Sequence, residues 1–158
     1  MAKEKPREGV QVVARNKRAR FEYAFEEKLE AGLELTGSEV KSLREGNANL
    51  SDSYALPEKN QLFVHNLNIG AYQAASHLGH VPLRKRRLLL HRREIDKLMV
   101  KVKERGLTLV PLEVYFKDGW AKIELGVGKG KTHEDRREDI KERETKRELA
   151  RARKSSRR

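Results

Sequence analysis

The segment LGVGKGKTHEDRRED, residues 125–139, has the residue types of a phosphate-binding loop. Its Gly-Lys-Thr at 130–132 matches the end of the P-loop pattern G-x-x-x-x-G-K-[ST], whose amides and lysine hold nucleotide phosphates. The pattern needs a glycine at the position of Leu125, whereas Gly126 is one residue too close. A charged tail follows in place of an apolar-faced helix. The spacing therefore argues against nucleotide hydrolysis, and the glycines at 128 and 130 predict a flexible exit from a strand.

Histidines are the other residues that could do chemistry, and their spacing does not assemble a site. His77 and His80 are three residues apart, but the chain has no cysteine and offers them no evident carboxylate partner. His65, His91 and His133 are scattered, whereas acid–base catalysis on RNA needs two such groups in one cleft. We therefore expect no enzyme activity, no metal and no cofactor.

Positive charge is concentrated at the two ends of the chain, which carries a formal charge of +12. Residues 1–20 hold 7 basic and 2 acidic groups, and residues 129–158 hold 13 and 7. The middle, 21–128, holds 16 and 15 and is nearly neutral. A neutral domain with basic ends is typical of proteins that bind a polyanion, and we expect nucleic acid.

Three basic clusters stand next to aromatic or apolar residues. The first is NKRAR at 16–20, the second is RKRR at 84–87, and the third combines Lys122 with Lys129 and Lys131. Basic groups beside aromatic rings suit an RNA backbone with some base stacking. The clusters predict an RNA-binding protein.

The elements that must position these clusters are mostly strands. Alternating apolar residues predict strands from Phe21 onward, over 50–56 and 61–70, and at 88–90. Residues 71–83 are irregular and are expected to form a mobile loop. Because strands and helices do not alternate regularly, a small antiparallel barrel similar to an OB fold is favoured over a parallel sheet.

Two helices are predicted between the strands. Thr36 and the glutamate three residues later form a capping box, which predicts a helix over 37–45. Ile95 opens an apolar stripe with helical spacing that ends at Gly106. Phe21 and Phe116 are expected to pack in the core.

Residues 107–127 predict a hairpin, because Asp118-Gly119 is a type I′ turn signal between two alternating runs. Lys117 should then oppose Trp120. The register pairs Phe116 with Ala121, Val114 with Ile123 and Leu112 with Leu125 on a buried face, and Tyr115 with Lys122 and Glu113 with Glu124 on the other.

The chain divides into an arm, a barrel and a tail. Residues 1–14 are expected to be a disordered basic arm, and residues 15–128 an RNA-binding barrel. The tail, 129–158, contains Ile140 and Leu149 as its only large apolar residues. Such a segment is marginal as an isolated helix, so we expect it to be disordered when free and helical when bound to an acidic partner.

Motifs in a fixed order along nearly the whole chain carry a family resemblance. They are NKRAR (16–20), EAG (30–32), GSEVKSLR (37–44), NLSDSY (49–54), RRLLLH (86–91), LVPL (109–112) and KGK (129–131). In this order they resemble the family of small protein B (SmpB), the bacterial protein partners of transfer-messenger RNA (tmRNA). The resemblance implies a mainly β fold, a closed six-stranded antiparallel OB-like barrel with about three helices and a basic C-terminal tail.

The resemblance also implies a non-enzymatic protein of trans-translation. Its barrel would bind the tRNA-like domain of tmRNA and deliver it to stalled ribosomes for rescue and peptide tagging. Its tail would occupy the small-subunit decoding centre and the empty mRNA channel. Elongation factor Tu would be an indirect partner through alanyl-tmRNA. We expect a soluble cytoplasmic location, because no apolar run is long enough to cross a membrane and no signal peptide is evident.

The resemblance and the basic clusters together assign candidate RNA-binding residues: Asn16, Lys17, Arg18, Arg20, Glu30, Leu89, Lys122, Lys129 and Lys131. Glu30, Leu89 and Lys122 match family positions that support binding of the tRNA-like domain. On the hairpin face, Lys122 could contact phosphate. Glu30 is acidic, so we expect it to order basic neighbours or to accept a hydrogen bond from a base or a 2′-hydroxyl.

The chain departs from the family in one loop and in the tail. Residues 79–82 read Gly-His-Val-Pro where the family often has Asn-His-Asp-Pro, which puts a local contact in doubt. The candidate ribosome-binding residues of the tail are His133, Glu134, Asp135, Arg136 and Arg137. Glu134 stands where the family has a ring expected to stack on a decoding-centre base, so we hypothesise that His133 takes that role.

Two other interpretations of the sequence remain open. One is a ribosomal or initiation-type OB protein that binds ribosomal RNA without tmRNA. The other is an RNA-processing enzyme, which would turn RNA over at catalytic concentrations.

Overall fold

The helices and strands of the protein are described by a computed structural model for residues 8–72 and 79–156. The strands are β1 (Val10–Arg15), β2 (Tyr23–Leu33), β3 (Ala48–Asn49), β4 (Tyr54–Glu58), β5 (Gln61–His65), β6 (Asn68–Ile69), β7 (Arg86–Leu89), β8 (Thr108–Lys117) and β9 (Trp120–Gly130). The helices are α1 (Lys17–Glu22), α2 (Gly37–Arg44), α3 (Arg92–Glu104) and α4 (His133–Ser155).

Six antiparallel strands form a closed ring in the described part of the chain. The order is β8, β4, β5, β7, β2 and β9, and β9 pairs again with β8. β1 pairs with β8 outside the ring, and β3 pairs with β6 in a separate two-stranded sheet. The predicted six-stranded antiparallel architecture is confirmed, with four helices in these residues where about three were expected.

The core fills the ring with apolar side chains from all six strands and from α3. Ile95 and Leu98 of α3 are buried in it, as the predicted apolar stripe requires. α2 begins at the predicted capping box and ends at Arg44, one residue earlier than expected. Among the described residues, none of the helices has both the length and the apolar character needed to span a membrane.

The beginning of the described chain is more ordered than the sequence predicts. All but the last residue of β1 lies in the expected disordered arm, 1–14, and the strand pairs with β8 from residue 10 onward. Its residues Gln11 and Val12 are exposed, while Val13 and Ala14 pack against the core. Exposed and packed residues therefore do not alternate one by one, so the period of two that predicts a strand is missing from this part of the sequence. Phe21 belongs to α1 and is half-buried, so the strand predicted from Phe21 begins instead at Tyr23.

The β8–β9 hairpin has the predicted register from its turn as far as the pair Glu113 and Glu124. The predicted pair of Leu112 with Leu125 is wrong, because a bulge at this point places Pro111 opposite Leu125. The face expected to be exposed is also buried at Glu113, whose carboxylate lies 3.0 Å from the guanidinium of Arg15 on β1. The predicted register concerned only β8 and β9, so it did not show that β1 covers this face.

Gly128 lies inside β9, and not in a flexible exit as predicted. A Cβ atom at this position would lie 2.0 Å from the carbonyl oxygen of Ala24 on β2. We expect Gly128→Ala to lower the free energy of unfolding by about 1–3 kcal/mol, because the obstacle is backbone and cannot rotate away. Urea denaturation measures this change. Gly130→Ala is the matched control, since a Cβ there meets nothing within 4 Å; equal effects of the two substitutions would contradict the explanation.

Candidate nucleic-acid interface

Three strands of the ring surround a shallow concavity of about 360 Å³ on the outer surface. Gly32 of β2 lies opposite Leu89 of β7 on one side and opposite Lys122 of β9 on the other. Glu30 precedes Gly32 by two residues, so its side chain lies on the same face of the sheet. The remaining lining residues are Leu90, His91 and Glu94. The structure thus brings together Glu30, Leu89 and Lys122, which are far apart in the sequence.

The floor of the concavity is an exposed leucine held beside a glycine. Leu89 is 47% exposed, and a Cβ on Gly32 would lie only 3.1 Å from the Cβ of Leu89. The glycine therefore leaves room for the leucine side chain at the surface. An apolar floor next to the half-buried Lys122 has the chemistry to hold a sugar or base beside a phosphate.

Glu30 organises the basic and aromatic groups at the edge of this concavity. The hydroxyl of Tyr115 donates a hydrogen bond to its carboxylate, and the ammonium of Lys117 lies 3.5 Å from the same oxygen. The Tyr115 hydrogen bond lowers the pKa of the Glu30 carboxyl, partial burial opposes this effect, and the charges of Lys117 and Lys122 reinforce it. Glu30 is therefore ionised at neutral pH, which fits the expectation that it orders basic neighbours.

Asn16, which the sequence assigned to RNA binding, is buried, and its side chain forms hydrogen bonds within the protein. Its side chain is 5% exposed, and its amide group donates to the carbonyls of Leu50 at 3.1 Å and Pro111 at 3.0 Å. Its side-chain oxygen accepts from the backbone amide of Ala19 at 3.1 Å and caps α1. An asparagine just before a helix is an N-cap signal, which could have revealed this role.

α1 presents the cations of the first basic cluster at the surface. Lys17, Arg18 and Arg20 are exposed on this helix. The guanidinium of Arg18 lies 3.1 Å from the carboxylate of Glu22, one turn further along. Asn16 thus acts on this cluster by fixing the helix that carries it.

The second basic cluster, residues 84–87, is a set of ion pairs and not a free basic patch. Arg84 lies 2.5 Å from Glu39, and Arg86 binds the other oxygen of the same carboxylate. The two remaining pairs are Lys85 with Glu58 and Arg87 with Glu34, each at 2.5 Å. Each basic side chain in the run is therefore matched by a carboxylate of the protein itself.

Arg86 and Glu39 form a buried network that fastens α2 to the strands, and both side chains are fully buried. Arg86 also donates to the carbonyls of Leu67 at 2.6 Å and Pro82 at 3.1 Å. Burial alone would raise the pKa of Glu39, but hydrogen bonds from the Thr36 amide, Arg84 and Arg86 outweigh it and lower the pKa. Burial lowers the pKa of Arg86, and Glu39 opposes that effect.

The segment that departs from the family pattern is held in place at His80. One ring nitrogen lies 2.9 Å from the Ile69 carbonyl, and the other lies 2.9 Å from the Ser38 hydroxyl. His80 thus anchors residues 79–83, which form the end of the segment predicted to be a mobile loop, while His77 lies outside the described residues. The described residues contain no group of three His, Asp or Glu side chains that could hold a metal ion.

The Gly-Lys-Thr motif at 130–132 caps a helix. The Thr132 hydroxyl accepts from the Asp135 amide at 3.3 Å, and the Asp135 carboxylate accepts from the Thr132 amide at 3.0 Å. The hydrogen bonds from Thr132 lower the pKa of Asp135. The side chain of Asp135, which was predicted to contact the ribosome, therefore forms a hydrogen bond that caps the first turn of α4.

Lys131, which was also assigned to RNA binding, makes contacts within the protein. Its ammonium donates to the Arg20 carbonyl at 3.2 Å and pairs with Asp139 of α4. By contrast, Lys129 is exposed. On the first turns of α4, His133, Glu134 and Arg137 are exposed and Arg136 is half-buried.

A comparison with known proteins decides the family. The family model described as SmpB protein matches residues 13–155. The chain belongs to the SmpB family. The SmpB resemblance identified from the sequence motifs is therefore confirmed.

Relatives and a solved structure agree with this SmpB assignment. An SsrA-binding protein of Myxococcus xanthus is 64% identical over 144 residues, covering 91% of this chain and 89% of the relative. One of Geobacillus thermodenitrificans is 55% identical over 141 residues, covering 89% and 91%. A solved structure described as "tmRNA-SmpB: a journey to the center of the bacterial ribosome" is 44% identical with a TM-score of 0.64, covering 80% of this chain and 93% of that one.

Proposed function

We propose that this chain binds tmRNA through its tRNA-like domain and brings it to stalled ribosomes in trans-translation. It acts by binding and not by catalysis, in the cytoplasm. The observation that carries the proposal is the convergence of Glu30, Leu89 and Lys122 on one concavity of the ring. Relatives named SsrA-binding proteins support tmRNA as the RNA that binds there.

Each of the three residues has a distinct role at the concavity. Lys122 contacts a phosphate, and Leu89 packs against a sugar or base. Glu30 holds Tyr115 and Lys117 in place and accepts a hydrogen bond from a base or a 2′-hydroxyl. Of these two donors, only the 2′-hydroxyl distinguishes RNA from DNA. The exposed cations of α1 and Lys129 add backbone contacts that position the RNA without reading its sequence.

The tail serves the ribosome. α4 is 23 residues long and has no buried residue, so a polyanionic channel can surround it on nearly all sides. Its residues from His133 to Arg137 contact the decoding centre, and the rest occupies the empty mRNA channel and becomes stably helical there. Elongation factor Tu takes part indirectly, by carrying alanyl-tmRNA.

A competition titration at physiological salt tests the barrel's role. The labelled ligand is the tRNA-like domain of tmRNA, and the competitors are bulk tRNA and unrelated RNA. We expect the tRNA-like domain to be strongly preferred, and Lys122→Ala to weaken its binding about tenfold, or about 1.4 kcal/mol, through loss of a phosphate contact.

Lys103→Ala is the matched control, because it removes the same charge from an exposed position near the end of α3. Lys103 lies about 14 Å along that helix from Glu94, which lines the concavity. Equal competition by all RNAs, with Lys122→Ala and Lys103→Ala having the same effect, would mean that binding is only counterion release by basic groups.

A further inference from the structure

The beginning of α4 rests on α1 through polar contacts. We use the name α1 seat for four residues whose side chains take part in these contacts: Phe21 of α1, and Lys131, Asp139 and Arg143 of the tail. The guanidinium of Arg143 lies 5.2 Å from the centre of the Phe21 ring, at cation–π distance. The backbone amide of Lys131 donates to the carbonyl of Glu22 at 2.7 Å.

Lys131 also completes the end of α1. Its ammonium donates to the carbonyl of Arg20, which lies in the last turn of that helix. A cation at this end also matches the negative end of the helix dipole. Because the same ammonium pairs with Asp139, one side chain joins the end of α1 to the second turn of α4.

The contacts lie on a single face of α4. Arg136, Asp139 and Arg143 follow each other at three and four residues, so they share one side of the helix. Arg136 and Asp139 are half-buried, whereas the neighbouring Ile140 is 44% exposed. The helix is therefore oriented by charged groups over its first three turns and not by an apolar stripe.

We propose that the α1 seat sets the direction in which α4 leaves the barrel, so that Phe21 and Asp139 are positioning residues for the tail. This inference rests on the proposed function of the tail. A 23-residue helix is about 35 Å long, so a rotation of about 20° at the seat moves its far end by about 12 Å. A helix displaced by that distance no longer enters the channel that a correctly directed tail occupies.

Peptide tagging with full-length protein, tmRNA and stalled ribosomes tests the α1 seat. We expect Phe21→Ala to lower the tagging rate about three- to tenfold and to leave the affinity for the tRNA-like domain unchanged. Phe21→Tyr keeps the ring and should tag as the wild type does. Leu149→Ala is the matched control, because it removes an exposed apolar side chain of α4 that is six residues beyond Arg143 and rotated by about 120° from it around the helix.

A distance measurement separates positioning from general stability. The chain has no cysteine, so Lys28→Cys on β2 and Glu148→Cys on α4 together carry two spin labels without competing sites. On the ribosome, the Phe21→Ala background should broaden or shift the distance distribution, and Phe21→Tyr should restore it.

The proposal is overturned if Phe21→Ala tags normally or leaves the distance distribution unchanged. A parallel loss of affinity for the tRNA-like domain would overturn it as well, because Phe21 would then support the barrel and not the tail alone. Failure of the proposed function is a separate outcome: wild-type protein would itself show no preference for the tRNA-like domain.

Discussion

Glu39→Gln is expected to lower the free energy of unfolding by about 3–5 kcal/mol, because it leaves the charge of Arg86 buried without its counter-ion. The remaining acceptors of Arg86 are neutral carbonyls, which do not replace a carboxylate. Urea denaturation at neutral pH measures the change. The matched control is Glu34→Gln, which breaks the ion pair of the neighbouring Arg87 at the surface.

The control is expected to lower the free energy of unfolding by between about 0 and 1 kcal/mol, because solvent screens an exposed pair.

The network of Glu39 and Arg86 also determines the direction in which stability changes at acid pH. The folded-state pKa of Glu39 is lowered, so the unfolded chain binds the proton more readily and stability falls as the pH decreases below about 4.3. Glu39→Gln should lose this part of the pH dependence. Equal costs for the Glu39 and Glu34 substitutions would contradict the buried-network explanation.

Truncation after Gly130 is expected to abolish peptide tagging while changing the affinity for the tRNA-like domain by less than about threefold. The cut lies at the end of β9, so the closed ring keeps all its strands. It removes the α4 residues assigned to the ribosome. Tagging assays and the competition titration together give the result.

A second truncation after Lys146 serves as the control for the tail. It preserves the α1 seat and removes only the distal part of α4. Intermediate or lost tagging by this variant assigns a role to the distal helix within the mRNA channel. Full tagging by the Gly130 truncation, or loss of its RNA affinity, would contradict the division of labour between barrel and tail.

Short sequence patterns predicted those parts of the fold that depend on residues close together in the chain. The hairpin register followed from Asp118-Gly119, and both residues have the positive φ that a type I′ turn requires. The predicted register missed the bulge at Leu112, although the adjacent Pro111 is a local signal, because a proline inside a sheet is confined to edge strands, strand starts and bulges. The pairing of Arg84 with Glu39 had no such local signal, since 45 residues separate them and a run of four basic residues otherwise indicates a solvated patch.

The candidate site also contains residues that the sequence alone indicated and residues that it did not. The residues themselves indicated Lys122, but Glu30 and Leu89 came from the family resemblance, because an acid and a leucine carry no RNA-binding signal of their own. Asn16 and Lys131 were assigned to RNA because they lie in basic segments. In the structure their side chains bind backbone carbonyls within the protein, and composition alone does not distinguish such a side chain from an exposed one.

The ion pairs of residues 84–87 also affect how RNA binding by the protein depends on ionic strength. With those four cations matched by carboxylates, the positive excess is confined to the two ends of the chain. Salt weakens attraction from exposed cations toward any RNA, but it affects shape and apolar contact in the concavity far less. At the ionic strength of a cell, nonspecific RNA binding by the two basic ends is therefore weakened, and contacts with the nearly neutral ring determine which RNA is bound.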